Sequence, residues 1–292
     1  MKPFQFIKDY KNEQQLRESF FQLADNVFAI NFQGWFEKGF WTDRYIPYSY
    51  LAGNQVAANV SVNMLDLIID GEKRSAVQIG TVMTHPDYRN QGLSASLMNI
   101  VLEEYQDEVD FIYLFANQTV LDFYPQFGFE AMNELQYSMK FTSTSSSDCA
   151  NIRKLDGTNT GDLDFIYQFA CERVPVSQRF GTDNSREILM FHCMNVFPHD
   201  IYYFDREEVM IIFKKQQSRI DIFDVISKRQ VNIEGILSAI SGNSTDTIVF
   251  HYTPDDQRHE LEKKRINDGL FVRTNGGQPF PLHIKHPVTS QA

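Results

Sequence analysis

The stretch HPDYRNQGLSASLM, residues 85–98, decides how this chain folds. It joins a strand-like run to an amphipathic helix through one arginine, one glycine and several small polar residues. A simple turn needs the glycine, but not Arg89 three residues ahead of it. The first N–H groups of a helix lack intrahelical acceptors, and the helix dipole places partial positive charge beside them. An anion is favoured there, and successive amides in a turn form a concave nest suited to phosphate oxygens. The missing Cβ at Gly92 lets a phosphate close on the main chain, and Arg89 adds a charge-assisted donor. Arg89-Asn90-Gln91-Gly92-Leu93-Ser94 therefore reads as a pyrophosphate cradle at a helix N-terminus. It is neither a G-x-G-x-x-G fingerprint nor a P-loop, because the second and third glycines and the lysine are missing.

Upstream, Asn12 to Ile30 places Leu16, Phe20, Leu23, Ala24 and Val27 at helical spacing. An aromatic, glycine-containing loop or broken helix follows, NFQGWFEKGFWTDRYIP. Three strand signals come next, joined by turns at Gly53-Asn54 and Asp70-Gly71, which predict an antiparallel meander. Downstream, Leu93, Leu97, Val101 and Tyr105 form one apolar helix row opposite Ser96, Asn99, Glu103 and Gln106. DFIYLFAN reads as a short strand buried on both faces, most simply a parallel neighbour in the sheet. TVLDFYPQF is a short helix closed by Gly128, and FEAMNELQYSMKF a last extended segment.

Beyond Ile152 the order recurs: helices, three strands, the helix NIEGILSAIS, the buried strand TIVFHYTP, the charged helix QRHELEKKRIN, and a closing strand pair. Gly269-Leu270-Phe271 occupies the place of Gly128-Phe129 in the first copy. The expected organisation is a cradle-bearing domain at 1–141, a serine-rich linker at 142–151 and a degenerate repeat at 152–292. An unrelated α+β second domain is the alternative. The expected fold class is α/β in the α+β sense: a mixed, mostly antiparallel sheet flanked by helices, in two tandem copies.

A 42% hydrophobic and 14% aromatic chain of 292 residues supports one large or two ordinary packed domains. Its net charge of −11 disfavours nucleic acid and anionic membranes as partners. The excess is concentrated up to Phe141, with 18 acidic against 10 basic residues. That balance suits a cationic small molecule or simple solubility equally well. Cys149, Cys171 and Cys193 lack metal-ligand or redox-pair spacing, so no metal is expected and a reducing compartment is. The N-terminus turns polar too early for a signal peptide and no apolar run spans a bilayer, so the expected location is cytoplasmic.

The cradle resembles motif A of the GNAT N-acetyltransferases, R/Q-x-x-G-x-G/A, with Ser94 where that family prefers glycine or alanine. FANQTVLDFYPQFGF resembles the family's next motif, an asparagine after the fifth strand followed by F-Y-x-x-x-G-F. The likeness spans roughly Gln5 to Phe141. It implies that acetyl-CoA lies where the fourth and fifth strands splay. The main chain of Val82, Met83 and Thr84 would meet the pantetheine arm, with Met83 as the donor to an oxyanion. Arg89 through Ser94 would hold the pyrophosphate, and Asn117 would bond the cofactor arm or cap the next turn. Tyr124 would serve the leaving thiolate.

No base is assigned, since SAVQIGT (Ser75–Thr81) has no carboxylate and His85 reads as part of a turn. Trp35, Phe36, Phe40, Trp41 and Tyr45, with Glu37 and Asp43, fall where the family builds its acceptor pocket; core packing explains each aromatic equally well. The second copy has no cradle at ISKRQVNIEG. The tandem layout is similar to the first two domains of the enhanced-intracellular-survival type of acetyltransferase. That group's terminal-carboxylate base is not carried over to Ala292, because the sequence stops before a third domain. The expected function is acetyl transfer from acetyl-CoA to a primary amine of a small molecule or peptide. The alternatives are a non-catalytic acyl-CoA-binding regulator and a different acyl donor such as succinyl-CoA.

Overall fold

A computed structural model describes residues 4–142, 152–241, 245–255, 260–275 and 277–292. The expected linker therefore falls, but for Thr142, outside the described residues, and so does Cys149.

The first part of the chain runs β1 (Gln5–Lys8), α1 (Gln14–Phe28), α2 (Gln33–Glu37), β2 (Tyr45–Ala52), β3 (Gln55–Ile69) and β4 (Glu72–Thr84). It continues through α3 (Leu93–Tyr105), β5 (Phe111–Phe115), β6 (Glu130–Ala131) and β7 (Glu134–Lys140). The meander follows its turn residues: Asp70 (φ 49°) and Gly71 (φ 81°) join β3 to β4, with Ile69 opposite Glu72. α3 buries Leu93, Leu97, Val101 and Tyr105 against Val60, Val62, Val77 and Ile79, as its spacing predicts. TVLDFYPQF is two single 3-10 turns, 121–123 and 125–127, because Pro125 cannot continue a helix begun at Leu121.

The second part runs β8 (Ile152–Leu155), α4 (Thr160–Cys171), β9 (Phe180–Asp183), α5 (Arg186–Asn195), β10 (Ile201–Phe204), β11 (Val209–Gln216) and β12 (Arg219–Ser227). Then come α6 (Ile233–Ile240), β13 (Thr247–Phe250), β14 (Glu262–Ile266) and β15 (Leu270–Thr274). Two mixed, mainly antiparallel sheets result, flanked by helices. One is ordered β1-β2-β3-β4-β5-β15-β6 and the other β14-β7-β13-β12-β11-β10-β8. In each, one parallel pair sits inside an antiparallel frame: β4 with β5, and β12 with β13.

The two sheets exchange strands. β7 inserts into the second sheet between β13 and β14, and β15 inserts into the first between β5 and β6. The second part also lends β9, which pairs with Asp66–Ile69 of the long β3. An expected boundary at 141 thus runs past a strand that belongs to the far sheet. The sequence pattern marks a strand but not its partner, and β7 reaches its partner because the second sheet offers open edges on both of its sides.

Two further expectations change. The segment expected as a charged helix contains β14 instead, four exposed charged residues laid on the edge of β7. Tertiary pairing overrides helix propensity there, and lysine-rich edges resist further strand addition. The expected closing strand pair is one strand, β15, followed by an irregular segment.

That segment, residues 280–292, packs along the seam between the sheets. Lys285 is buried and donates to Glu134 (3.0 Å) and Asp268 (2.8 Å). Burial raises the Glu134 carboxyl although Lys285 opposes the shift. Thr289 bonds Asp224, and the Thr182 and Ser290 hydroxyls bond at 2.7 Å. His286 is fully buried, with Nδ1 3.0 Å from the Pro287 carbonyl and Nε2 3.0 Å from the Tyr113 hydroxyl. The carbonyl can only accept, so Nδ1 carries the proton and Nε2 accepts from Tyr113.

Burial pushes the His286 pKa down from 6.5 to about 3. Its stability contribution is complete above pH 6.5 and is lost as pH falls from there towards 3, because the unfolded chain then binds the extra proton. Between pH 7 and pH 5 this group is expected to remove roughly 2 kcal/mol. Urea melts at both pH values check it. His286→Gln should flatten the pH dependence by that amount, and an unchanged slope would contradict the neutral buried tautomer.

Candidate active site

β4 and β5 pair only from Ala76–Ile79 against Phe111–Leu114. Beyond that point Gly80, Thr81 and Val82 on one strand, and Phe115, Ala116 and Asn117 on the other, line a cavity of about 410 Å3. The splay has a local cause. β3 and β4 shift register between Asn59/Met83 and Ser61/Gly80, so Thr81 and Val82 together face Val60. Thr81 holds φ 49°, an uncommon conformation for a β-branched residue. A buried polar network secures it. Asn59 Nδ2 donates to the Thr81 carbonyl at 2.9 Å and to Ser61 at 2.8 Å, and the Tyr45 and Thr81 hydroxyls lie 2.8 Å apart. Tyr10 and Ser49 extend it to Asn59 Oδ1.

Two of the strand residues expected at this gap part company. The His85 N–H donates to the Ala57 carbonyl at 2.8 Å, and Met83, opposite Asn59, shares that side of the strand. The Met83 amide therefore faces β3, not the gap, and its side chain is core; the oxyanion role expected of it does not fit. Thr84 faces the open side, its hydroxyl 2.6 Å from that of Ser94. Val82, in the bulge, lines the cavity.

Asn90 (φ 61°) and Gly92 (φ 73°) shape the turn before α3. Gly92 is the helix N-cap and no side chain caps it; a Cβ there would meet no atom within 4 Å. The side of the turn off Gly92 is open, while Leu93 anchors the first turn in the core. Arg89 and Gln91 are exposed at the rim, Arg89 Nε reaching the Thr84 carbonyl at 3.4 Å. The second sheet has a corresponding opening of about 340 Å3 near Val225, Ser227, Phe250 and Tyr252. There Asn232 caps α6 by accepting from Glu234 N–H at 3.1 Å, and the Glu234 carboxylate sits in the first turn. A helix start already holding a side-chain oxygen and a negative charge repels phosphate. Of these two helix starts, that of α3 is the one without a side-chain cap.

Tyr124 lines the cavity, 5% exposed, and its hydroxyl has no hydrogen-bond partner among the described residues. Burial raises its pKa to about 12, so it remains a neutral donor across the ordinary pH range. Asn117 Oδ1 accepts from the Thr119 amide and hydroxyl, both at 3.3 Å, a local turn and not a helix cap, since the next 3-10 turn has Val120 as its uncapped N-cap; Asn117 also lines the cavity. Gln78 is engaged by Tyr113, the Ser290 carbonyl and the Ala292 amide. His85 Nδ1 accepts from the Asp87 amide and belongs to the turn.

Of the expected aromatic wall, Trp35 and Tyr45 line the cavity. Phe36, Phe40 and Trp41 pack in the core shared with the second part, Phe40 against Tyr167 at 5.1 Å. Glu37 and Asp43 are exposed and absent from the lining; Asp43 pairs with Lys11. Sequence reading missed the wall that comes from afar: Ile188, Phe191 and His192 on α5, with Gln291 and Ala292. Ala292 lies against Gly80, where an added Cβ would stand 3.5 Å from it. No local signal announces contacts made across such sequence distances.

Residues 10–132 match the family profile described as an acetyltransferase (GNAT) domain. No curated protein matches the chain. Among solved structures it is similar to a conserved protein of unknown function from Enterococcus faecalis V583, with TM-score 0.62 and 15% identity over 94% of this chain and 72% of that one. It is also similar to a GCN5-related N-acetyltransferase from Kribbella flavida, with TM-score 0.56 and 16% identity over 93% and 72%. Eis1 from Mycobacterium abscessus aligns with TM-score 0.57 and 12% identity over 94% and 74%. At these identities the likeness to solved structures speaks for the fold. Among the described residues no helix is long and apolar enough to cross a membrane.

Proposed function

We propose that this chain, whose residues 10–132 are a GNAT acetyltransferase domain, is an acyltransferase that moves an acetyl group from acetyl-CoA to a primary amine. The observation that supports it best is a strand pair that parts after Ile79 and Leu114, with Tyr124 in the lining of the gap and an uncapped glycine helix start following β4.

Acetyl-CoA supplies a thioester carbon as electrophile and a thiol as leaving group. Arg89 and the amides of Asn90, Gln91, Gly92, Leu93 and Ser94 hold its diphosphate, and the Ser94 and Thr84 hydroxyls stand beside them. Val82, Thr84 and Asn117 Nδ2 hold the pantetheine arm along the open side of β4. The main chain of the Thr81–Val82 bulge presents a donor to the oxygen that gains charge as the amine attacks, a duty that Met83 cannot perform. Tyr124 donates to the departing sulfur and, as a neutral phenol, can give it a proton. Aromatic walls around the acceptor exclude water.

Loss of this donor should fall on turnover and not on cofactor affinity. Tyr124→Phe is expected to reduce kcat roughly 100-fold while the affinity for acetyl-CoA stays within a factor of about three. Stopped-flow thiol release with an amine panel, alongside calorimetry, measures both. Unchanged kcat on every accepted amine would remove Tyr124 from the chemistry. One observation favours a second reading, a non-catalytic acyl-CoA-binding regulator: no side chain lining the cavity, among the described residues, is a carboxylate. Tight CoA binding with no thiol release above background across the panel would establish it.

A further inference from the structure

The wall of the acceptor end identifies which amines fit. We infer that the acceptor is an amine carried on an apolar body, aryl-alkyl or branched aliphatic, and not a polyamine or an aminosugar. The inference rests on the acetyl-transfer reading above and specifies its second substrate.

Phe32, Trp35 and Tyr45 come from the first part of the chain, and Ile188 and Phe191 from α5. Trp35 is 5.5 Å from Tyr45 and 6.3 Å from Phe191 between ring centroids, and Phe32 is 5.5 Å from Phe191, so the rings form one continuous surface. Most of their polar atoms are turned to partners in the wall, whereas His192 Nδ1 and the neighbouring Gln291 Nε2 are buried without one. Trp35 Nε1 donates to the Glu187 carbonyl at 2.8 Å, and the Tyr45 hydroxyl is held by Thr81. His192 Nε2 lies 2.7 Å from the Gln291 carbonyl, and burial lowers the imidazole pKa, which keeps the ring uncharged. What Phe32, Trp35, Ile188 and Phe191 present to an occupant is mainly carbon, with His192 Nδ1 as the unpartnered acceptor beside them.

No Asp, Glu, Lys or Arg lines the cavity among the described residues. The nearest carboxylates in sequence lie outside the lining: Glu187, beside Ile188, is buried with Oε1 3.1 Å from Arg186 and Oε2 without a partner, Glu37 bonds Gln33 at 2.7 Å on the exposed face, and Asp43 pairs with Lys11. The acidic excess of the chain therefore contributes no side chain to the lining itself. A single ammonium can be tolerated at the mouth over aromatic faces and is lost on deprotonation before attack. A second, distal ammonium among these rings would have no Asp or Glu side chain to pair with in the lining, which is unfavourable. An alkyl or aryl group in the same place gains by leaving water.

Hexylamine and 2-phenylethylamine, tested against putrescine and kanamycin by CoA release with saturating acetyl-CoA, give the measurement. Hexylamine and putrescine share a primary amine and a flexible chain and differ chiefly in what occupies the far end. The apolar pair should exceed the cationic pair in kcat/KM by at least about 30-fold. Phe191→Ala should cut the 2-phenylethylamine advantage about tenfold through KM, with the calorimetric affinity for CoA unchanged. Putrescine or kanamycin as the better substrate would overturn the inference while leaving acetyl transfer standing. CoA binding with no release on any of the four amines would overturn acetyl transfer and this inference with it. Should Phe191→Ala not fold, the wild-type ranking decides alone.

Discussion

A chain ending at Ile266 is expected not to fold its first sheet, although it keeps every residue from 10 to 132. β15 is the neighbour of β5 through five consecutive pairs, Leu270 opposite Phe115 to Thr274 opposite Phe111, and it carries β6 on its other side. Without it β5, whose Phe111 to Leu114 are all buried, presents an unpaired row of N–H and C=O groups inside the protein. Leu270, Phe271 and Val272 are each under 5% exposed, and their burial alone is worth roughly 5–8 kcal/mol. The buried partners of residues 285–292, Glu134 and Asp224 among them, would also be stranded. The total is comparable with the whole net stability of most domains, roughly 5–15 kcal/mol. Circular dichroism should show residual helix with no cooperative melt, and calorimetry no CoA binding. A sharp two-state melt of the shortened chain would mean that the first sheet closes without its borrowed strand.

Gly92→Val carries the second largest effect, on binding alone. A Cβ at Gly92 meets nothing within 4 Å, so the valine has room in the free protein. Only the φ of 73° opposes it, a strain of roughly 1–2 kcal/mol for a branched residue. The same branched side chain projects into the space where phosphate oxygens must approach the amides of the first turn of α3. CoA affinity should fall at least 100-fold or so, with the midpoint of thermal unfolding only a few degrees lower. Gly92→Ala separates strain from obstruction by sharing most of the former and less of the latter. CoA binding to the valine variant with native affinity would place the diphosphate elsewhere and withdraw the cradle.

The local signals in the sequence were strong where backbone chemistry is local. Asp70-Gly71 marks its hairpin, the Leu93-to-Tyr105 row marks the buried face of α3, and R-x-x-G marks a helix start open to an anion. What stayed out of reach depends on distant partners. Nothing in ELQYSMK says that it pairs with TIVF of the second sheet, since alternation fixes which face is buried and not which strand lies alongside. EKKRI looks helical because its residues are good helix formers, and it becomes a strand because β7 offers an edge. The bulge at Thr81 leaves no trace in SAVQIGT, as the strain is held by Asn59 and Tyr45 from other strands. The acceptor wall shows the same limit. Trp35 and Tyr45 were within reach of a motif argument, whereas Ile188 and Phe191 lie about 150 residues further on and arrive through packing.

The strand exchange sets a timetable for biogenesis. Translation delivers β1 to β5 long before Leu270 leaves the ribosome, so β5 waits with the edge that β15 will cover still open. For that interval the nascent chain is a client for chaperones, and a synonymous-codon change that slows elongation after β14 would lengthen its exposure without altering one amino acid.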